Sequence, residues 1–457
     1  MELYEAALGN VALKFIDGES GAHSTLGSLP QIHTDPDDTG LVFVYCDNTI
    51  ESVAAFWSLM SQPHTLALLP RTLAPQLKLT LENRYKPRYI IDSSRAQVDG
   101  YSATAQNTST LFRADNPAKY SIHPSVKVLL STSGTTGSPK FVKLSEQNLL
   151  SNAKAIALYL PMNSNDVTPL NLPIHYSYGL SVLTANAIGG GAIATIPYDI
   201  LRPEFWRMFT ELGCTSIAGV PYVYEMLKRI GFLTKQYPAL RYCTQAGGRL
   251  KDSLIREFAE YGLANNVLFY VMYGATEATA RMSYLHPSLL PDKCGSIGKP
   301  IPGGSFAIDN ATEELLYSGP NVFGGYAESY HDLHFYDAPE WLHTGDIATT
   351  DSDGYYYIKG RSKRIVKLFG NRVNLDELEV FVSTALSATV KCTGSEDAHV
   401  VVWCCEDSVD STAVKQCLQQ EFKLHPSVVR FQHLDAFPLT SAGKIDYMAL
   451  TERSTHD

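Results

Sequence analysis

A chain of 457 residues, 45% hydrophobic and 18% charged, buries enough apolar surface to offset chain entropy, which excludes global disorder and a disulfide-stapled miniprotein. At roughly 150 residues per unit, its length corresponds to about three folding units. With 37 Lys and Arg against 47 Asp and Glu, the net charge of -10 repels polyanions, so no nucleic acid is expected as a main partner, while a local phosphate site remains compatible with it.

The opening residues MELYEAALGN carry acid where a signal peptide carries positive charge, and no run of 18 apolar residues occurs; no membrane span and a cytoplasmic location are expected. Eight cysteines are scattered without a CxxC pair or a Cys/His cluster at zinc spacing, which predicts reduced thiols. Apolar, β-branched stretches at 42–46, 126–130, 192–196 and 267–272 alternate with segments of helical period, the pattern of an α/β chain.

Residues 130–140 read Leu-Ser-Thr-Ser-Gly-Thr-Thr-Gly-Ser-Pro-Lys. Gly134 and Gly137 allow the backbone to turn its NH groups inward, Thr132, Ser133, Thr135 and Thr136 add hydroxyls, and Lys140 adds a positive charge. The set suits a polyphosphate, although two residues between the glycines are too few for a P-loop and composition alone favours a Ser/Thr-rich turn capping a helix. Ser145 as N-cap, with Leu149, Ala153, Ile156 and Leu160 on one face, predicts a helix over 145–160. It is expected directly after the loop, a strand, loop, helix arrangement that presents amides to phosphate.

Further along stand Tyr273-Gly274-Ala275-Thr276-Glu277, Trp341 to Asp346 (WLHTGD), Gly360-Arg361-Ser362-Lys363 and Pro438 to Lys444 (PLTSAGK). Each alone is an ordinary turn or a solvated charge. Together and in this order, over roughly residues 126–446, they resemble the motifs of the adenylate-forming superfamily, which holds acyl-CoA synthetases, peptide-synthetase adenylation domains and luciferases.

The resemblance implies an α/β fold: a large N-terminal multi-subdomain α/β adenylation domain, 1–360, with a small α+β C-terminal lid domain, 361–457, whose run 400–405 reads as a buried strand and 412–422 as a helix. It implies ATP and Mg²⁺ as cofactors. Thr132 to Gly137 and Lys140 carry over to the phosphates, Tyr273 and Gly274 to the adenine side, Thr276 to the α-phosphate and Glu277 to magnesium; a hard cation that neutralises phosphate calls for such a carboxylate. Asp346 and Arg361 carry over to the ribose, Lys363 to the hinge, and Lys444 to the lysine that bridges the incoming carboxylate and the α-phosphate. Lys367, with Gly370, matches the face used in the second half reaction, and Arg364 beside them reads as part of a solvated basic face. Gly295 to Pro300 and Glu314 to Pro320 match scaffold segments.

Residues 172–179 (LPIHYSYG) align with the family's acyl-pocket segment. The aromatic gate is Tyr176 in one placement and His175 in another. Ser177 stands where domains that load α-amino acids carry aspartate, and a buried ammonium without a counter-charge is costly, so a free amino acid is disfavoured. Gly219 and Gly248 match further pocket positions and Gly247 an adenine-side one; Arg249 either pairs with a second anionic group or faces solvent. The region before residue 126 is short for the family. The activity implied is ATP-dependent conversion of a carboxylic acid to an acyl-adenylate with pyrophosphate release, followed by transfer to the thiol of CoA. One alternative acceptor is the phosphopantetheine of a separate carrier protein, and a non-catalytic nucleotide-binding homologue is a second alternative.

Overall fold

The structure, a computed structural model, describes residues 2–106, 109–131, 140–368, 371–395, 399–422, 424–440 and 443–454, without the side chains of Lys363, Ile365, Lys367, Asn371 and Arg372. The chain packs as two compact units, one of residues 1–305 with 318–342 and the other of 306–317 with 343–457.

The first unit is built on an eight-stranded sheet. Its centre is parallel: β1 (Leu41–Cys46) lies between β2 (Thr65–Pro70) and β3 (Tyr89–Ile91), and β4 (Val128–Ser131) continues beside β2. All six residues of β1 are buried, as expected of a parallel strand covered on both faces. Short as it is, the region before residue 126 supplies five of the eight strands, with Tyr101–Ala105 and Thr110–Ala114 forming the far edge. β5 (Phe141–Leu144) returns antiparallel to β4, with Ser131 opposite Phe141.

That strand corrects one sequence expectation. The Gly-rich loop joins two paired strands and is not followed directly by a helix, because Phe141, Val142, Lys143 and Leu144 are all buried in the sheet. The helix comes next as α1 (Glu146–Tyr159), with the Ser145 side chain accepting from the Asn148 amide at 3.0 Å.

After α2 (Ser177–Gly189), a second sheet places β6 (Ser216–Gly219), β7 (Tyr242–Gln245) and β8 (Leu268–Tyr273) in parallel, with β9 (Ser283–Leu285) antiparallel to β8. Gly219 is opposite Gln245 and Gln245 opposite Val271, so the carboxyl ends of the three strands lie side by side. α1 and α2 pack on this sheet through Ala155, Tyr159, Tyr178, Ala218, Tyr242 and Met272.

In the second unit, β10 (Leu342–Thr350) and β11 (Tyr356–Arg361) form an antiparallel pair that puts Asp346 opposite Arg361. A hairpin of Ile365–Leu368 and Asn371–Asn374 leads into α3 (Leu375–Ala385), and the strands β12 (Val390–Ser395), β13 (His399–Cys404) and β14 (Val429–His433) make a three-stranded sheet. α4 (Ser411–Phe422) buries Val414 and Leu418 in the same core. The predicted strand at 400–405 and helix at 412–422 are thus β13 and α4. All eight cysteines are free thiols, and among the described residues no helix is long and apolar enough to cross a membrane.

Candidate active site

The carboxyl ends of parallel strands are where open α/β sheets expose loops to ligands. Here β6 ends at Gly219, β7 runs into 246–248 and β8 into 274–277. Gln245 donates to the Gly248 carbonyl at 2.9 Å, and a side chain on Gly248 would meet the Pro221 ring at 3.1 Å, so the first two loops are held close together. Gly247 has φ +84°. Gly274 is required sterically: a Cβ there would fall 1.7 Å from the Ala280 carbonyl oxygen. That close approach folds residues 274–281 back on themselves and presents Thr276 and Glu277.

Thr276 Oγ1 lies 3.2 Å from Ser177 Oγ, in the first turn of α2. Glu277 Oε1 accepts a hydrogen bond of 2.8 Å from the Tyr326 hydroxyl, and its carbonyl accepts from Phe323 N at 2.9 Å. The face of the Tyr326 ring lies 3.5 Å from the Lys140 ammonium. Tyr326 therefore gathers a predicted phosphate lysine and a predicted metal ligand around one side chain. Burial, followed by the Glu277 charge and hydrogen bond, pushes its phenol well above the ordinary range, so it stays a proton donor at neutral pH. Tyr326 carries no motif identified from the sequence; the Gly324-Gly325-Tyr326 that follows the matched 314–320 segment is the available signal.

Of the loop itself, Lys140 is described, whereas Thr132, Ser133, Gly134, Thr135, Thr136 and Gly137 lie outside the described residues. Tyr273 closes β8. Tyr176 is the N-cap position of α2 and packs against the helix and sheet core. His175 is half-buried, its buried Nδ1 has no hydrogen-bond partner, and desolvation depresses its pKa to about 4, so the ring is neutral at pH 7. Arg249 is half exposed and 4.0 Å from Asp252, on the surface rather than in a pocket.

In the second unit the two predicted ribose residues meet. Asp346 is buried and accepts from Arg361 Nε at 3.1 Å across β10 and β11. The turn before it is fixed by Glu314, which accepts from Gly345 N at 2.8 Å through one oxygen and pairs with His343 at 2.9 Å through the other. Glu314, read from sequence as scaffold, orients this turn.

Lys363 lies in the 3₁₀ turn Ser362–Arg364 and Lys367 on the strand Ile365–Leu368; Gly370 lies outside the described residues. Arg364 does not belong to a solvated basic face. Its guanidinium pairs with Asp376 at 2.5 Å and with Glu379, and lies 3.8 Å over the Tyr447 ring, because α3 brings two carboxylates to it from later in the chain. Lys444 sits in a tight loop in which Thr440 N donates to the Lys444 carbonyl at 2.7 Å and Lys444 N to Thr440 Oγ1 at 3.2 Å.

The family described as AMP-binding enzyme matches residues 31–327. The chain belongs to that family. Among curated relatives, this AMP-binding enzyme is 30% identical to an oxalate-CoA ligase of Arabidopsis thaliana over 57% of its own length, and 27% identical to a sulfoacetate-CoA ligase of Cupriavidus necator over 71%. The matched regions span 53% and 66% of those two proteins. A 2-succinylbenzoate-CoA ligase of Staphylococcus epidermidis is 23% identical over 88% of this chain and 86% of its own. Among solved structures, the o-succinylbenzoate CoA synthetase of Bacillus subtilis with its acyl-adenylate intermediate superposes with a TM-score of 0.75 at 20% identity, covering 97% of this chain and 96% of that one. The AMP-binding enzyme thus has the adenylation fold.

Proposed function

We propose that the protein activates a carboxylic acid with ATP, forming an acyl-adenylate and releasing pyrophosphate, and then passes the acyl group to the thiol of CoA. The observation that carries the reading is the folded-back 274–281 turn at the end of β8, whose Thr276 meets Ser177 and whose Glu277 is oriented by Tyr326 beside Lys140. The relatives bearing CoA-ligase names support CoA as acceptor.

Glu277 offers the hard carboxylate oxygen that Mg²⁺ prefers, already fixed in direction by Tyr326. When bound there, the ion supplies charge neutralisation on the phosphates. The chain's own residues do the rest. Lys140, with the 132–137 loop, holds the β- and γ-phosphates and the Thr276 hydroxyl donates to the α-phosphate. Tyr273, Gly274 and Gly247 border adenine, and Asp346 accepts from the ribose hydroxyls while Arg361 holds its carboxylate. His175, Tyr176, Ser177, Gly219 and Gly248 border the acid; a neutral His175 presents no charge to repel or trap it. Lys444 stabilises the charge that builds as carboxylate oxygen attacks phosphorus. The division at 360/361, with Lys363 as pivot, lets the lid present Lys444 for the first step and Lys367 for the second.

The test is Mg²⁺-dependent ATP/pyrophosphate exchange across a panel of acids, followed by thioester formation with CoA or with a phosphopantetheinylated carrier. Exchange with transfer to CoA supports the reading; transfer to the carrier alone changes the acceptor. Silence with every acid while ATP binds overturns it in favour of a non-catalytic homologue.

A further inference from the structure

Arg281 lies at the end of the same folded-back turn, just before β9, and is 3% exposed. Its backbone is locked: Asn152 Nδ2 and Asn321 Nδ2 both donate to its carbonyl at 2.9 Å, and its amide donates to Asn152 Oδ1 at 3.3 Å. Its guanidinium lies 3.9 Å over the Tyr178 ring, Nε points at the Met272 sulfur at 3.4 Å, and the Tyr159 hydroxyl is a further neutral neighbour. Among the described residues no carboxylate pairs with it.

Arginine stays protonated in proteins and carries five donors. Burying it against a π-face, a thioether and a phenol recovers part of the desolvation cost but leaves the charge without an anion. Arg281 also lines a small cavity between α1, α2 and strands β6 and β7, together with Thr168, Ser181, Ser216 and Thr244. That cavity measures about 20 Å³, room for one compact group rather than a long acyl chain. Ser177 and Tyr178 are consecutive on α2, and one reaches Thr276 while the other reaches Arg281. Consecutive residues of α2 thus touch the proposed reacting centre and the buried cation.

We infer that Arg281 is a specificity-determining residue that receives a second, terminal anionic group of the substrate acid, so that the preferred substrates are short dianionic acids, dicarboxylates or sulfocarboxylates. This rests on the adenylation reading above. The sequence offered Arg249 as a partner for such a group; Arg249 is at the surface, and Arg281 is the arginine inside. Two relatives carry names of ligases for short acids with two anionic groups, oxalate and sulfoacetate, and a third the name of a ligase for a larger dicarboxylate, 2-succinylbenzoate.

The experiment compares matched pairs, succinate with butyrate, glutarate with pentanoate and sulfoacetate with propionate, in pyrophosphate exchange and in direct binding followed by thermal unfolding. The wild-type protein is expected to favour the dianionic member, and Arg281→Met to lose about 100-fold in kcat/KM for it while changing the monoanionic member less than about threefold. Arg281→Lys, which keeps the charge without the fork, is expected between the two and covers the case in which the methionine variant fails to fold. The succinate and sulfoacetate arms separate carboxylate from sulfonate as the terminal group. Equal use of both members by the wild type, or equal loss of both in the variants, overturns the inference while leaving adenylation standing. If exchange is silent throughout, adenylation falls, and the binding arm still decides: thermal stabilisation by dianions in the wild type but not in the variants supports the anion site, and its absence overturns it.

Discussion

Tyr326 donates to Glu277 from its hydroxyl and offers its ring face to Lys140, at 2.8 Å and 3.5 Å. The two contacts are chemically separable. Tyr326→Phe keeps the ring under Lys140 and removes the bond that aims Glu277. We expect it to raise the Mg²⁺ concentration needed for half-maximal pyrophosphate exchange by about 10-fold, the worth of a hydrogen bond to a charged group. Tyr326→Leu removes the ring as well and should also weaken ATP binding. An unchanged Mg²⁺ titration in Tyr326→Phe would show that Glu277 is aimed by something else.

Lys444→Ala should lower pyrophosphate exchange by roughly 10²-fold or more, since in the proposed role the lost group acts on charge that develops in the transition state, while ATP affinity stays near wild type. Lys367→Ala should leave exchange intact and slow thioester formation. Equal losses in both half reactions for Lys367→Ala would contradict the use of two faces of the second unit.

Asp346 is buried with Arg361 as its partner. On the proposed ribose role, Asp346→Asn keeps one acceptor oxygen but loses the charge and the second, and weakens the pairing with Arg361, so KM for ATP should rise about 10-fold or more with a smaller change in kcat. Kinetics with 2′-deoxy-ATP check the assignment: the wild type should lose affinity on this change of nucleotide, and the variant should lose little more.

His175 makes stability depend on pH. Its folded pKa of about 4 lies below the ordinary value of 6.5, so between these values the unfolded chain binds a proton that the folded one does not. Its contribution is complete above pH 6.5 and is lost as pH falls toward 4, a change on the order of 3 kcal/mol. Denaturant unfolding of wild type and His175→Phe at pH 7.5 and at pH 4.5 should show a steeper loss for the wild type. Parallel losses would mean that the ring protonates without cost.

The motifs were legible because each is contiguous and its chemistry is written in residue type: a Gly/Ser/Thr loop, a Thr-Glu turn, an Asp and an Arg that two adjacent strands bring into register. The α/β alternation was equally plain, and the predicted strands and α1 fall within a residue or two of the observed elements. What escaped depends on partners far along the chain. Arg364 reads as a surface charge until Asp376 and Glu379 arrive on α3, and Tyr326 has no evident role until Glu277, 49 residues earlier, accepts its hydrogen bond. The helix expected directly after the Gly-rich loop was displaced by four buried residues that complete a sheet edge, a tertiary demand that local pattern does not carry.

The turn from Gly274 to Arg281 has almost no freedom. Thr279 sits at φ +65°, a conformation that β-branched residues avoid, and it is held there by its own hydroxyl on the Asn321 carbonyl at 2.7 Å and by Asn321 Nδ2 on the carbonyls of Ala278 and Arg281. Glu277 and Arg281 hang from opposite ends of this clamp. An inserted or deleted residue would break the Asn321 bonds and misplace both groups at once. Within this turn, diversification toward new acids is therefore left to exchanges of residue type at constant loop length, and the loop is a poor place for a library built on length variation.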